Sequence, residues 1–393
     1  MVPTQAQLDA CVACGLCLPH CPTFRLTGDE VASPRGRVVA MGAVATGEIP
    51  SDDVYAGMLS FCLGCRACEA ACPSLIPFGL MLEGSREQLA RGDSSVEGKM
   101  RRLLVGRVLN MRWMLKMATL GIALLQRFRV VGLLPKRLRS IRGLRRQRLI
   151  ASRSVQPAGD GSGSIALLTG CVMNEWFPEV HEATRGVLET AGFTVDAPPG
   201  QQCCGALAAH EGAGDAARRM AERNVAAFSG YDIVVADAAG CSAHLKEYGE
   251  WAEGGESVAG RTRDITEFVA ELIADDKLPR SEETRGQVAV HDPCHLRHAQ
   301  RIVAAPREIV RAAGYEPVEI DPDGLCCGAA GLYMVYQYET ADQLGERKKS
   351  EIKATGTRLV VSANPGCEIQ LRSHLDGDYT VLHPVELYWQ SVR

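Results

Sequence analysis

The sequence predicts a mainly α-helical, two-cluster domain followed by two tandem α/β units related by internal duplication. Three observations carry that prediction. A run of four cysteines beginning at Cys11 recurs, with the same spacing, from Cys62. Eight further cysteines fall into two sets of four with matching internal gaps. Around those two sets, short apolar strands alternate with helical stretches in the same order twice over.

Bulk properties set the frame. A chain of 393 residues accommodates two or three domains of ordinary size, and 46% apolar with 23% charged residues is normal for a globular protein. The opening MVPTQAQLDA has no basic stretch leading into an apolar one, so no secretory signal is read there and a cytoplasmic location is expected. In a reducing compartment, 16 clustered cysteines point to metal binding rather than to disulfides. The longest uncharged apolar run, Met117–Leu125, is shorter than the roughly 20 residues that span a bilayer.

The first domain is read as residues 1–95. Its runs are Cys11-x2-Cys14-x2-Cys17-x3-Cys21-Pro22 and Cys62-x2-Cys65-x2-Cys68-x3-Cys72-Pro73. This is the spacing of bacterial ferredoxins. Three closely spaced thiolates wrap one cubane, and the fourth cysteine ligates the other cluster. Two [4Fe–4S] clusters are therefore expected, one on Cys11, Cys14, Cys17 and Cys72, the other on Cys62, Cys65, Cys68 and Cys21. Zinc ordinarily takes two C-x2-C pairs or a Cys/His mixture, which leaves two complete four-cysteine runs unexplained. Between the runs, SPRGRVVAMGAV reads as a helix with Ser33 as N-cap and Pro34 at its first position, and DDVYAGMLSF as another. Arg35 and Arg37 lie at the first of these helix starts. They are expected to be solvated surface groups, with contact to a partner or tuning of a cluster as the alternative.

Residues 96–160 are read as a basic amphipathic helical linker. Sixteen Lys and Arg fall between Lys99 and Arg153, and no acidic residue lies between Glu97 and Asp160. Leu103, Leu104, Arg107, Val108, Met111, Met114 and Leu115 recur at helical spacing. Such a helix would pack on the first domain, dock another subunit, or lie on an anionic membrane surface, giving a peripheral position on the inner face of the cell membrane. Nucleic acid is not expected, because only Trp113 and Phe128 are aromatic and no nucleic-acid motif accompanies them. The AGDGSGS stretch at 158–164 reads as a flexible boundary.

The remaining cysteines are Cys171, Cys203, Cys204 and Cys241, then Cys294, Cys326, Cys327 and Cys367. Corresponding members are offset by 123, 123, 123 and 126 residues. SIALLTGC pairs with QVAVHDPC, ETAGFTVDAPP with RAAGYEPVEID, and DIVVADAAGC with RLVVSANPGC. Each reads as a strand running into, or following, a loop. Helices are expected around Pro178–Thr190, Gly214–Phe228, Pro306–Ala313 and Ala341–Ala354. Two parallel α/β domains follow, at 161–285 and 286–393, with cysteines at strand ends. Adjacent cysteines can face one metal only if the backbone turns tightly, which Gly205 and Gly328 permit. Both sets are read as metal ligands, in preference to buried small hydrophobes or a redox thiol pair.

Taken together, two such runs followed by two CCG repeats resemble the iron–sulfur subunits of bacterial glycolate oxidase (glycolate dehydrogenase). CPTFRLTGDEVASPRGR, AGCSAHLKEYG, CHLRHAQ, LCCGAAGLY and ANPGC carry the likeness along the whole chain. The CCG repeat alone also resembles heterodisulfide reductase subunits, lactate-utilisation proteins and anaerobic glycerol-3-phosphate dehydrogenase subunits. The resemblance implies an electron-transfer subunit of a flavin-dependent 2-hydroxy-acid dehydrogenase. An FAD-bearing partner would oxidise glycolate to glyoxylate, and electrons would pass through this chain to a quinone or another acceptor. No G-x-G-x-x-G fingerprint or P-loop is present, so FAD is placed on the partner and no catalytic residue on this chain. The equivalent subunit for D-lactate or glycerol 3-phosphate, reduction of a disulfide or heterodisulfide at a CCG domain, and a zinc-binding scaffold are the other readings. The full CCG motif ends in C-x2-C, whereas here the last positions are His244 and Gln370, so each repeat offers four cysteines for an iron–sulfur cluster or zinc. His244, His291 and His295 lie near them and are expected to support the sites rather than to ligate.

Overall fold

The computed structural model describes residues 2–128, 130–147, 165–375 and 377–393. The AGDGSGS stretch lies outside them. Up to residue 147, the described chain contains helices and loops and no strand. The helix Pro34–Thr46 starts as its sequence predicts: Pro34 occupies the first turn, the Ser33 Oγ accepts the Gly36 N–H at 2.9 Å, and Gly47 closes it in the left-handed region. Asp53–Ser60 is capped by Asp52. Phe78–Gly92 lays Phe78, Met81 and Leu82 against Leu8, Val38, Met41 and Leu59, which forms a small core around the cysteine runs.

Arg37 departs from the surface role expected of it. It is fully buried. Its guanidinium donates to the carbonyls of Ala32 at 2.8 Å and Met58 at 2.9 Å, and to the Thr23 hydroxyl at 3.2 Å. An arginine stays charged in proteins, so these oxygens are what make its burial tolerable.

The basic middle also differs from a single amphipathic helix. Val96–Gly106 ends at Arg107, a short 3-10 turn covers Val108–Asn110, and a second helix runs Arg112–Arg127. The break has a cause: the Asn110 side-chain oxygen accepts the N–H of Cys203 at 3.1 Å, so the chain must bend inward there. A further 3-10 stretch, Lys136–Gly143, packs on the helix Pro365–His374. The segment is thus a strap that touches both later units.

Each later unit is a four-stranded parallel sheet. The first contains β1 (Ile165–Leu168), β2 (Val195–Asp196), β3 (Ile233–Ala236) and β4 (Thr262–Asp264) in the order β2-β1-β3-β4. The second contains β5 (Gln287–His291), β6 (Glu316–Glu319), β7 (Leu359–Ser362) and β8 (Thr380–Leu382) in the equivalent order β6-β5-β7-β8. Helices Pro178–Thr190, Gly214–Ala227, Ala304–Ala312 and Tyr338–Ala354 fall on the expected segments. The two sheets do not join. The units share one core instead, in which Val187, Leu188, Phe268 and Leu272 of the first meet Ile309, Val310, Leu387 and Tyr388 of the second.

Candidate metal centres

The two N-terminal runs wind alike. Ala13 and Gly15 in the first, and Gly64 and Arg66 in the second, have left-handed backbone, at φ 53°, 83°, 63° and 62°. Successive turns of this kind bring three thiols to one side of the loop. Cys11, Cys14, Cys17 and Cys72 line one cavity, together with Arg35, Ile76 and Phe78. Cys21, Cys62, Cys65 and Cys68 line a second, with Arg37 and Arg66. Cys68 stands between them and touches both. The first cavity is open, with Cys14 exposed; all four cysteines of the second are buried. Burial pushes the Cys65 and Cys68 thiols well above their ordinary range, and for Cys65 the nearby Cys294 adds to it. Eight free thiols converging four by four, in surroundings that disfavour uncompensated thiolates, form a donor set suited to iron–sulfur clusters.

In the repeats, every cysteine sits beyond the C-terminal end of a parallel strand, beside the central strand where the winding reverses direction. Cys171 follows β1, Cys203 and Cys204 follow β2, and Cys241 follows β3. The Cys171 and Cys203 sulfurs are 3.3 Å apart, as are those of Cys204 and Cys241. The turn after each Cys-Cys pair is left-handed, at φ 97° for Gly205 and 90° for Gly328. A Cβ on Gly328 would lie 2.8 Å from the Ala341 carbonyl oxygen. The Asn224 amide donates to the Cys203 carbonyl at 3.1 Å and the Tyr248 hydroxyl donates to the Cys204 carbonyl at 2.7 Å, which pins the first pair. The hydrogen bond with Cys171 holds the Cys203 thiol well below its usual range.

In the second set, Cys326 holds Cys294 well below the ordinary thiol range, with His295 adding to it; their Sγ and Nδ1 are 3.5 Å apart. Cys327 is likewise held low, by Cys326 first, then Cys367 and His291. The Asn364 amide lies 3.5 Å from the Cys367 sulfur, and its oxygen accepts the Gly240 N–H of the first repeat at 3.2 Å. The Gly-Cys loops of the two repeats therefore touch. His244 makes no such hydrogen bond to its cysteines, although it stands beside their turn, its Nε2 3.2 Å from where a Cβ on Gly205 would lie. Its ring packs against Tyr248 and Trp251, and burial pushes its pKa down to about 4, so it is a neutral imidazole at pH 7.

The second N-terminal run reaches the repeats directly. Cys65 packs in one cluster with Cys326 and Tyr333, with Cys294 against it, and the Tyr333 hydroxyl donates to the Phe61 carbonyl at 3.2 Å. Arg66 pairs with Glu69 at 2.7 Å and with Glu247 of the first repeat. Glu83 accepts from His210 at 2.7 Å; burial, the largest single influence, opposes its charge, but the His210 bond together with the nearby His210, His244 and Arg66 groups holds the carboxylate low. Sequence reasoning put Arg37 at the surface, with tuning of a cluster as its alternative role, and missed Arg66, Asn224 and Asn364. Only their three-dimensional neighbours distinguish them from other polar residues.

Residues 7–76 match the family model of a 4Fe-4S dicluster domain, and residues 165–246 and 288–372 each match that of a cysteine-rich domain. The chain is 32% identical to the probable glycolate oxidase iron-sulfur subunit of Bacillus subtilis (strain 168), over 98% of this chain and 94% of that protein. It is 29% identical to the glycolate oxidase iron-sulfur subunit of Escherichia coli (strain K12), again over 98% and 94%. Identity to the lactate utilization protein A of Bacillus subtilis (strain 168) is 24%, over 57% of this chain and 98% of that one.

Proposed function

The chain belongs to the family of glycolate oxidase iron–sulfur subunits, and from that premise we propose that it carries electrons from a flavin-bearing 2-hydroxy-acid dehydrogenase partner, with glycolate as that partner's substrate, to a quinone or another acceptor. The observation that carries the reading is the convergence of the two runs on one open and one buried cavity, the buried one abutting the second repeat. Cys11, Cys14, Cys17 and Cys72 hold the outer cluster, and Cys21, Cys62, Cys65 and Cys68 the inner one. Cys171, Cys203, Cys204 and Cys241, and Cys294, Cys326, Cys327 and Cys367, hold metal in the repeats. One-electron carriage is what such clusters supply. The protein's own part is to exclude water from the inner thiols and to set fixed charge beside them, above all Arg37, whose Nη1 lies 4.0 Å from the Cys21 sulfur. The working units are 1–95, 96–160, 161–285 and 286–393.

Electrons enter at the open cavity. Val12, Leu16 and Leu75 are exposed around it, an apolar surface suited to a protein partner. Anaerobic capture of the chain from its native cells is expected to bring down a flavoprotein, and the eluate to reduce a dye with glycolate. Leu16→Glu with Leu75→Glu should release that flavoprotein while leaving iron content unchanged. Equal dye reduction with D-lactate or glycerol 3-phosphate would move the substrate; capture without any flavoprotein would sink the reading.

The acceptor side is read from the strap. No helix among the described residues is long and apolar enough to cross a membrane. The helix Arg112–Arg127 nevertheless turns Leu115, Thr119 and Ala123 inward and leaves Trp113, Met117, Leu120 and Leu124 exposed, with Phe128 just beyond. These five recur at helical spacing on one face, in a segment without acidic residues. Such a face suits an anionic lipid surface. The holoprotein should sediment with vesicles containing phosphatidylglycerol and not with pure phosphatidylcholine. Leu120→Glu should weaken that binding about tenfold or more, since burying one leucine is worth roughly 1.5–3 kcal/mol. Undiminished binding by the variant would assign this face to another subunit.

A further inference from the structure

We propose that His291 is a ligand of the metal centre in the second repeat, so that the two repeats hold different centres, all-thiolate in the first and thiolate–imidazole in the second. The inference rests on the reading that the second cysteine set binds metal. Three observations carry it. A ring nitrogen of His291 and the sulfurs of Cys327 and Cys367 all lie within 4.8 Å of one another, close enough to share one ion or cluster edge. The imidazole is buried, and its Nε2 has no nitrogen or oxygen partner; the Nε2 atoms of His244 and His295 are unpartnered too, but among the described residues His291 alone is grouped with two sulfurs, close enough to join Cys326 in holding Cys327 low. Leaving a buried ring nitrogen unpaired is costly unless something else engages it. Its Nδ1 is meanwhile held by the Ser362 hydroxyl at 3.0 Å. This is how protein-bound imidazole ligands are oriented: one nitrogen is fixed by a neighbour and the other is left for the metal.

The duplication provides an internal control. His291 ends β5 and pairs in register with Ser362, which ends β7. At the same place in the first repeat, Leu168 ends β1 and pairs with Ala236, which ends β3. Both members of the polar pair are thus replaced by apolar residues in the other copy. An imidazole needed only for packing gives no reason for the serine. An imidazole ligand whose ring is steadied by a hydroxyl accounts for both. His295 differs in its surroundings: its Nδ1 lies 3.5 Å from the Cys294 sulfur, and its Nε2, though also unpartnered, is not grouped with two sulfurs as the His291 nitrogen is. A neutral nitrogen donor leaves a centre less negative than thiolate does. Imidazole-ligated iron–sulfur centres have higher potentials than all-cysteine ones for this reason, and cysteine–histidine sets also suit zinc.

The test uses the full chain, purified anaerobically with 15N-labelled histidine. Iron and zinc are counted, and the reduced protein is examined by pulsed EPR for histidine nitrogen coupling; if zinc is found, X-ray absorption reads its nitrogen neighbours. The variant pair is His291→Leu with Ser362→Ala, which reproduces a pairing the first repeat already packs and so keeps the fold. The expected result is a histidine nitrogen on one centre, lost in the double variant and kept in Ser362→Ala alone, with at least tenfold faster loss of that metal to a chelator in the double variant. A centre that disappears in Cys327→Ser but shows no histidine nitrogen, or is unchanged in the double variant, overturns the proposal and leaves metal binding standing. If Cys327→Ser alters neither iron nor zinc content, the second set holds no metal and both readings fall.

Discussion

Cys72→Ser is expected to remove the outer cluster, which the first run mainly builds, and to leave the cluster of its own run in place. Cys21→Ser should do the reverse. The reason lies in the cavities: Cys72 faces Cys11, Cys14 and Cys17, while Cys21 faces Cys62, Cys65 and Cys68. Each variant should retain about half of the roughly eight irons of the two cubanes. The two should nevertheless differ in kind. Cys72 is half-buried beside an open cavity, whereas Cys21 is buried beside Arg37 and Thr23. Loss of the inner cluster therefore also removes the negative charge beside a buried guanidinium, which keeps its hydrogen bonds to Ala32, Met58 and Thr23, and Cys21→Ser should be the less stable protein. Both should abolish substrate-driven dye reduction in the complex when the dye accepts beyond the inner cluster. Iron counting with EPR of the reduced variants decides the matter. Loss of the second run's cluster in Cys72→Ser would refute the crossed arrangement.

Arg145→Ala should destabilise the protein by about 3–5 kcal/mol, the usual cost of removing one partner from a buried charge cluster. Arg145 donates to Glu368 at 2.6 and 2.8 Å and to Glu386 at 2.7 and 2.6 Å, and its guanidinium lies over the Phe177 ring. Both carboxylates are almost fully buried. Burial already raises Glu368 despite Arg145, while Arg145 overcomes burial to hold Glu386 low. Without the arginine both would sit above their unfolded values. The variant's stability is then fully present below the unfolded carboxylate pKa and falls as pH rises through the raised folded values, so the deficit should shrink toward pH 5. Adding Glu368→Gln and Glu386→Gln should recover part of the loss. Chemical denaturation across pH measures all of this, and a pH-independent deficit under about 1 kcal/mol, the range of an exposed ion pair, would mean the cluster is not holding the strap.

The strap shows how far sequence reasoning reaches. Its basic character and helical spacing are plain in the residues, and the break at Arg107 is not, because Asn110 bends toward Cys203, 93 positions along the chain. The partners of Arg145 lie 223 and 241 residues away, so nothing local distinguishes it from its arginine neighbours. The closing strands β4 and β8 escaped notice for a related reason. Each has three residues, too few for a periodic pattern, and each exists because it pairs with β3 or β7. The capping box that starts at Asp264, the last residue of β4, and ends at Glu267 was the available signal.

By itself, the sequence determined the cysteine runs, the duplication, the glycine after each Cys-Cys pair and the strand–helix order. These are constraints between residues close along the chain, or repeated at one period, because a cluster's size dictates ligand spacing and a copied unit keeps its own. Tertiary structure alone decided that Arg37 is buried, that Arg145 clamps the second repeat, that the inner run abuts Cys294 and Cys326, and that His291 faces its cysteines where Leu168 stands in the other copy. Each of those depends on which surfaces meet when distant segments pack. That outcome is set by burial and by pairing of charge, neither of which leaves a mark on local spacing.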